Sequence, residues 1–558
     1  MRPITSNSFA RSTPTGALLC VALFFLTTNA RAQYPYISPE IKREADARRA
    51  AADAHSDQAF ERAMKEILAW ETRGKPYLPA AAEPKDLPQA SIPAFPGAEG
   101  GGMYSFGGRG GKIFVVTSLQ DSGPGTLREA LEAGGPRIIV FNVAGIIRLK
   151  SRIRVRAPYV TLAGSTAPGD GVCVAGDTVE LETHDVIIRH MRFRRGETWV
   201  GDRNDSLGGN PIGNIMIDHV SASWGLDENM SMYRHMYQPP SGGPELKLPT
   251  VNITIQNSIF SEGLNTYHHA FGSTIGGLNS TFHRNLWANN TGRNPSVGMY
   301  GDFTFVNNVL FNWVHRTIDG GDHRSFFNII NNYLKPGPAT PVGRPISWRL
   351  LKPESERSKT VFDHFGKAFV SGNVVEGNAR VTRDNWDGGV QPESRADIAT
   401  VLPAIRQDKP FPHARLTILP AREAYETVLK SAGATLPKRD AVDLRIIQDV
   451  RSGKVSSGPF KGSREAYKAV RYSDNSIDEI VRLVDLGIIT DPSQVGGYPA
   501  YKGAPYADAD GDGLPDDWEI RHQLNPRDPA DASIDSDNDG YSNIEEFING
   551  TAPLSAQN

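Results

Sequence analysis

Residues 205–229 read DSLGGNPIGNIMIDHVSASWGLDEN, residues 252–273 read NITIQNSIFSEGLNTYHHAFGS, and residues 280–295 read STFHRNLWANNTGRNP. Each carries a short β-branched or apolar run that stops at a polar His or Asn, as in Ile215-Met216-Ile217 and Ile253-Thr254-Ile255. The same pattern extends outward, upstream in DVIIRHMRF and downstream in DFTFVNNVLFNW, FFNIINNYL and AFVSGNVV. Anchored on Asn257, Asn285, Asn308 and Asn332, the returns come roughly 22 to 28 residues apart, a solenoid spacing. Asn373 follows after a longer excursion. One such unit buries no apolar face alone, but stacked coils bury a continuous core. Asparagines at equivalent positions can then hydrogen-bond as a ladder. The spacing predicts an all-β chain over residues 94–390, a right-handed parallel β-helix. The two-residue turn signals that a β-sandwich needs do not recur.

The same stretch concentrates chemistry. It holds carboxylates Asp205, Asp227 and Glu228, with Asp202 close by, imidazoles His219, His268, His269 and His283, and the guanidinium of Arg293. A chain that keeps returning short strands to one place can set such residues on one wall, and that wall is the candidate active site.

Upstream, Ser38 to about Arg73 is rich in Ala, Glu, Arg and Lys, with Phe60, Met64, Ile67 and Leu68 at helical spacing. The Pro- and Ala-rich stretch from Pro76 to Pro93 reads as a linker, so residues 33–93 form a helical segment and linker. FPGAEGGG from Phe95, followed by GGRGG, suits sharp turns or close backbone approach; with no Lys-Ser/Thr after it, it is not a P-loop. Lys112–Thr117 and Arg137–Val143 read as strands flanking a helix at Thr126–Ala133. From 391 to 500 the period is helical again, in REAYETVLKSAGA, RDAVDLRIIQDVRSG and SIDEIVRLVDLG, which predicts a tail packed along the solenoid.

The net charge of -3 gives no electrostatic case for nucleic acid or a membrane surface. Arg2 and Arg11 precede the apolar run Ala17–Leu26 and then Ala30-Arg31-Ala32, the pattern of a cleavable signal peptide over residues 1–32. The expectation is a secreted protein, extracellular or periplasmic, acting as a monomer. Of the two cysteines, Cys20 lies in that signal, leaving Cys173 without an intrachain partner. No later apolar run is long enough to span a bilayer.

Near the C-terminus, Asp508, Asp510, Asp512 and Asp516 take positions 1, 3, 5 and 9 of a twelve-residue calcium loop, with Gly513 at 6 and Glu519 at 12. Asp535, Asp537, Asp539, Asn543 and Glu546, with Gly540, repeat the pattern. The pair predicts a calcium module over residues 501–558, structural or anchoring in role and similar to EF-hand-like, dockerin-like and thrombospondin type 3 repeats.

FPGAEGGG, the GGRGG to VTSLQDSGPGTLREAL opening, LAGSTAPGDGV, VIIRHMRFRRG, the IDH at Ile217–His219 and TFHRNLWANNTGRNP together resemble polysaccharide lyase family 1, the pectate lyases. The likeness runs from about Phe95 to Tyr333 and more loosely to about Gly453. It implies a parallel β-helix and calcium-assisted β-elimination on an acidic polysaccharide, most often pectate. A sugar carboxylate bridged to the protein by Ca2+ makes its C5 proton more acidic, and a basic residue removes that proton. By resemblance Asp205 and Asp227 are calcium ligands, with Asp202 assisting. Ser231 stands where another acid is usual, with Glu228 as its substitute. Arg293 matches the catalytic base. The family's substrate-gripping Lys and second Arg are replaced by Phe271 and about Gly298, leaving His269, His283 and Arg316 as the candidate substrate contacts. His268 is open between substrate contact and loop structure, and Asp218 and His219 read as structural. A guanidinium hardly ever deprotonates, so Arg293 acts either as a base with a lowered pKa or by stabilising the enediolate. Two rival functions are a β-helix glycoside hydrolase using the same carboxylates and a non-catalytic binder of acidic glycans.

Overall fold

The structure, a computed structural model, describes residues 37–355, 364–393, 397–462 and 474–554. The predicted signal peptide over 1–32 lies outside the described residues. Three parallel sheets run along a β-helix. The first has ten strands, from Lys112–Val116 through Gly213–Asp218, Val251–Gln256 and Leu278–His283 to Lys367–Ser371. The second has nine, from Gly145–Arg148 to Val374–Val375. The third runs Ile153–Val155, Val179–Leu181, Leu207–Gly209, then through single bridges at Met230 and Met232 to Thr274–Ile275, Ser296–Val297, Ile318–Gly320 and Leu351–Pro353.

In-register pairing explains the apolar runs. Ile215 sits beside Ile253 and Ile217 beside Ile255, Ile255 meets Phe282, and Phe282 continues into Phe305 and Ile329. All of these are fully buried. Aromatic rings fill the interior between coils, with Phe260 to Trp287 at 5.1 Å and Phe282 to Phe303 at 5.2 Å between centroids.

The asparagine ladder forms at Asn285, Asn308, Asn332 and Asn373. The Asn308 Oδ1 accepts the Asn285 backbone N–H at 3.0 Å, Asn332 Oδ1 accepts that of Asn308 at 2.9 Å, and Asn373 Oδ1 that of Asn332 at 2.9 Å. Asn257 is not a rung. Ser258 takes that place, its backbone N–H donating to Asn285 Oδ1 at 2.9 Å. Asn257 is one residue earlier, in the row His219, Asn257, Arg284, Asn307 and Asn331, all left-handed with φ between 50° and 58°. Asn tolerates that conformation unusually well, so two adjacent positions both favour Asn. Asn308→Ala strands the Asn285 N–H and the Phe282 carbonyl that Asn308 Nδ2 reaches at 2.9 Å. We expect a loss of roughly 1–3 kcal/mol for each buried group left unpaired, read by chemical denaturation, and a smaller loss for Asn257→Ala.

What covers each sheet positions the site. The glycine-rich segment lies on the first sheet. A Cβ on Gly101 would meet Asn279 O at 1.8 Å and one on Gly102 would meet Ile215 O at 2.0 Å, so only glycine fits there. Gly102 N–H donates to Thr254 Oγ1 and Gly108 N–H to Thr161 Oγ1, both at 2.9 Å. The stretch expected as a linker is packed as well, with Leu87 buried against Ile212 and Val251. Tail helices Ala421–Ser431 and Ala441–Ser452 cover the second sheet, placing Val428, Leu429, Ile446 and Val450 on Ile259, Leu286 and Phe311. Beneath them the buried Arg194 pairs with Asp440 at 2.9 Å and Asp443 at 2.8 Å. The helix predicted from Ser38 is present as α1 (Pro39–Glu71), capped by the Ser38 hydroxyl. It lies on the first coils of the third sheet. The middle coils of that sheet carry the predicted wall.

Candidate active site

Successive coils of the third sheet deliver one functional segment each. The single bridges Leu207–Met230, Glu228–Phe271 and Phe271–Gly292 stack the segments holding Asp205, Asp227-Glu228, His269-Phe271 and Arg293. Residues up to 88 positions apart in sequence thereby become neighbours. The approach is tight: a Cβ on Gly272 would meet Arg293 O at 2.6 Å. Arg293 itself is left-handed at φ 52°, its carbonyl accepting from Ser273 N–H at 2.8 Å.

Arg293 Nη1 is ion-paired with Glu228 and lies 4.0 Å from Asp227. His269 Nε2 is ion-paired with Asp227. Thr274 Oγ1 donates to Glu228 at 2.8 Å, and the Glu228 N–H donates to Asp205 Oδ1 at 3.0 Å. Ser231, where resemblance implies a further acid, hydrogen-bonds Asp205 instead. Phe271, where resemblance implies a lysine, is a platform: the Arg293 guanidinium sits 4.4 Å above its ring and the His269 ring centroid is 4.1 Å away. Arg316 is 5.8 Å from the same ring but is held by Asp319 and by Ser296 Oγ at 2.8 Å.

Burial, and then the charges of Glu228 and Asp227, hold the Asp205 carboxyl well above the usual range. Burial and Asp227 raise Glu228 too, against the opposing pull of Arg293 and His269. Three crowded carboxylates of this kind fit a hard cation with oxygen ligands. Asp227, Glu228 and His269 place ligand atoms within 4.8 Å of one another.

Two candidates fall elsewhere. His283 is the last residue of its first-sheet strand, fully buried, with Nε2 2.9 Å from Gln256 Oε1, and takes no part in this wall. Asp202 lines a separate cavity beside α1 and stands outside the carboxylate cluster. Asp218 accepts from Gln256 at 2.9 Å and Asn257 at 3.0 Å. His268 faces Glu479 of the tail at 3.3 Å. The residues that sequence reasoning missed are Thr274 and the supporting role of Phe271, legible only once the coils are in register.

In the C-terminal module, Asp508, Asp510 and Asp512 converge, as do Asp535, Asp537 and Asp539. Both Asp510 oxygens and both Glu519 oxygens are buried without a hydrogen-bond partner, as are both Glu546 oxygens and Asn543 Oδ1. Such orphaned acceptors fit bound cations. Burial, then neighbouring carboxylates, pushes Glu519 up to about 8, and burial with Asp510 and Asp508 pushes Asp512 up to about 7. Asp531, between the loops, joins Asp512 and Glu519 as an unforeseen third acid. Asp516 accepts the Ala509 N–H at 2.8 Å and braces the loop rather than joining the cluster.

A family model described as a bacterial TSP3 repeat matches residues 508–529 and 535–556. Among solved structures, jun a 1, the major allergen from cedar pollen, aligns at 16% identity and TM-score 0.42 over 60% of this chain and 92% of that one. The probable pectate lyase C of Aspergillus fumigatus is 33% identical over 478 residues, 83% of this chain and 94% of the relative. That of Neosartorya fischeri is 34% identical over 480 residues, 83% of this chain and 94% of the relative. On that identity, sustained over nearly the whole of these relatives, the chain belongs to the pectate lyase family.

Proposed function

We propose that the protein is an exported lyase that cleaves pectate, a uronic-acid polysaccharide, by calcium-assisted β-elimination at this wall. The observation that carries the reading is the placement of Arg293 over Phe271 and against Glu228, beside Asp227 and Asp205, in a chain of this family. Asp205, Asp227 and Glu228 would hold Ca2+ there, which when bound draws charge from the sugar carboxylate. Arg293 meets the negative charge that develops as C5 loses its proton. Phe271 and Glu228 fix the guanidinium from two sides, and His269 orients Asp227. The signal-like residues 1–32 support export; among the described residues no helix is long and apolar enough to cross a membrane.

The test is ultraviolet absorbance of unsaturated products on a panel of uronic-acid polysaccharides, with and without chelator. Calcium-dependent absorbance on polygalacturonate is expected. New reducing ends without absorbance would mean a hydrolase, and binding without turnover a glycan-binding protein. Asp205→Asn and Asp227→Asn should each lower activity roughly 10- to 100-fold at low calcium through metal affinity. Excess calcium should restore part of the rate; a loss that no calcium concentration reverses would refute the ligand assignment.

A further inference from the structure

The third sheet is closed at one end. α1 lies beside its first strand, Ile153–Val155, and is fastened to it. Asp53 pairs with Arg152 and Arg154, and Asp57 with Arg156 at 2.6 Å. Further along, Ala63 and Ile67 pack on Ala157. The same arginines reach the next coil, Arg152 to Glu180 at 3.3 Å and Arg154 to Glu182. The segments of the active wall stack from coil to coil, so a substrate groove along them would run across the strands, whereas α1 runs along them. A helix of 33 residues is about 50 Å long, enough to lie across the end of such a groove as a bar.

Between this bar and the active wall is a cavity of 410 Å³. Arg48, Arg49 and Lys150 line it, with Asp177, Asp202 and Asn204 across from α1. Asp202 and Asn204 lead directly into Asp205. The coil of Asp205 lies two steps from that of Arg152, about 10 Å at the spacing of adjacent strands. Arg48 stacks 4.3 Å over the Trp199 ring, which fixes its guanidinium at the cavity. Arg48 and Arg49 face Asp202, and Lys150 Nζ has no carboxylate partner among the described residues. That end is therefore closed by α1 and lined by three cations. Arg48 also pairs with Glu44 at 2.6 Å and Arg49 lies 3.8 Å from Asp46, exposed pairs within one helix that are worth little. A uronate can compete for both and can supply the counter-charge of Lys150.

We propose that α1 dead-ends the groove, that Arg48, Arg49 and Lys150 hold the terminal uronate of a chain inserted end-on, and that the enzyme releases short oligosaccharides from chain ends. The inference rests on the pectate-cleaving reading above. It is tested by following viscosity against ultraviolet product on polygalacturonate and sizing the products by mass spectrometry. We expect a narrow class of short products, with most viscosity retained at an extent of cleavage where random cutting would abolish it. In the triple variant Arg48→Ala, Arg49→Ala, Lys150→Ala, KM should rise about 10-fold or more with kcat kept. All three side chains are exposed, so an unchanged melting temperature serves as the folding control. In parallel, tetragalacturonate is titrated into Arg293→Ala protein with and without the triple substitution, and binding should weaken by a similar factor. Broad product lengths with early viscosity collapse, or unchanged KM and binding in the triple variant, would overturn the end wall. Absence of turnover on every uronan, with the binding difference present, would count against the lyase reading and leave the end wall standing.

Discussion

Arg293→Ala is expected to lower the rate of unsaturated-product formation roughly 100- to 10,000-fold, the range of a single general-base or charge-stabilising group. Added calcium should not restore it, in contrast to Asp205→Asn and Asp227→Asn, because in the proposed mechanism the guanidinium acts on the transition state and not through metal affinity. Arg293→Lys should remain poor. An ammonium supplies charge but not the planar group that rests 4.4 Å over Phe271 while one nitrogen reaches Glu228. His283→Ala is the control. Its ring is buried against Gln256 in the first sheet, so the substitution should lower stability and leave the rate per folded molecule near normal. Near-normal turnover in Arg293→Ala, together with its abolition in His269→Ala, would move the base to the imidazole.

Trp518→Ala is expected to destabilise the whole chain by about 3–5 kcal/mol, the usual cost of truncating a buried aromatic. The calcium module is not an appended tail in this structure. Leu514, Trp518, Ala532, Ile544 and Ile548 pack on Ile138, Val140 and Ala163 of the first sheet. The ion pair of Arg109 with Glu545 at 2.8 Å and the Tyr541 hydroxyl, donating to Pro93 O at 3.1 Å, add polar links. Calcium that closes the loops should therefore stabilise the solenoid as well, by about 2.7 kcal/mol per site at a hundred times the dissociation constant. Scanning calorimetry of the full chain should show one transition that chelator lowers. A melting temperature indifferent to calcium, or a separate low-temperature transition for the module alone, would refute the coupling.

Local pattern was enough to read much of this protein. The solenoid period, the helix capped by Ser38, the short helix capped by Thr126 and the two acidic loops all follow from neighbours within a dozen residues. There, backbone propensity and ligand spacing are set by the sequence itself. The candidate wall was legible as a concentration of acids and bases, but its membership was not. His283 and Asp202 are close to the chosen residues in sequence, and the register places both elsewhere. Thr274 is within hydrogen-bonding reach of Glu228 from 46 positions away, and Asp531 enters the calcium module from between its loops. Each coil must return its strands to the same three sheets, yet the loops between returns differ in length. Which residue meets which is thus fixed by inter-coil pairing and not by distance along the chain. The same reason hid Asn257, one residue short of the ladder, because both the left-handed turn position and the buried rung favour asparagine. It also hid the wall made by α1 and the docking of the module: an amphipathic pattern shows that a face will be covered, and only the folded chain decides by what.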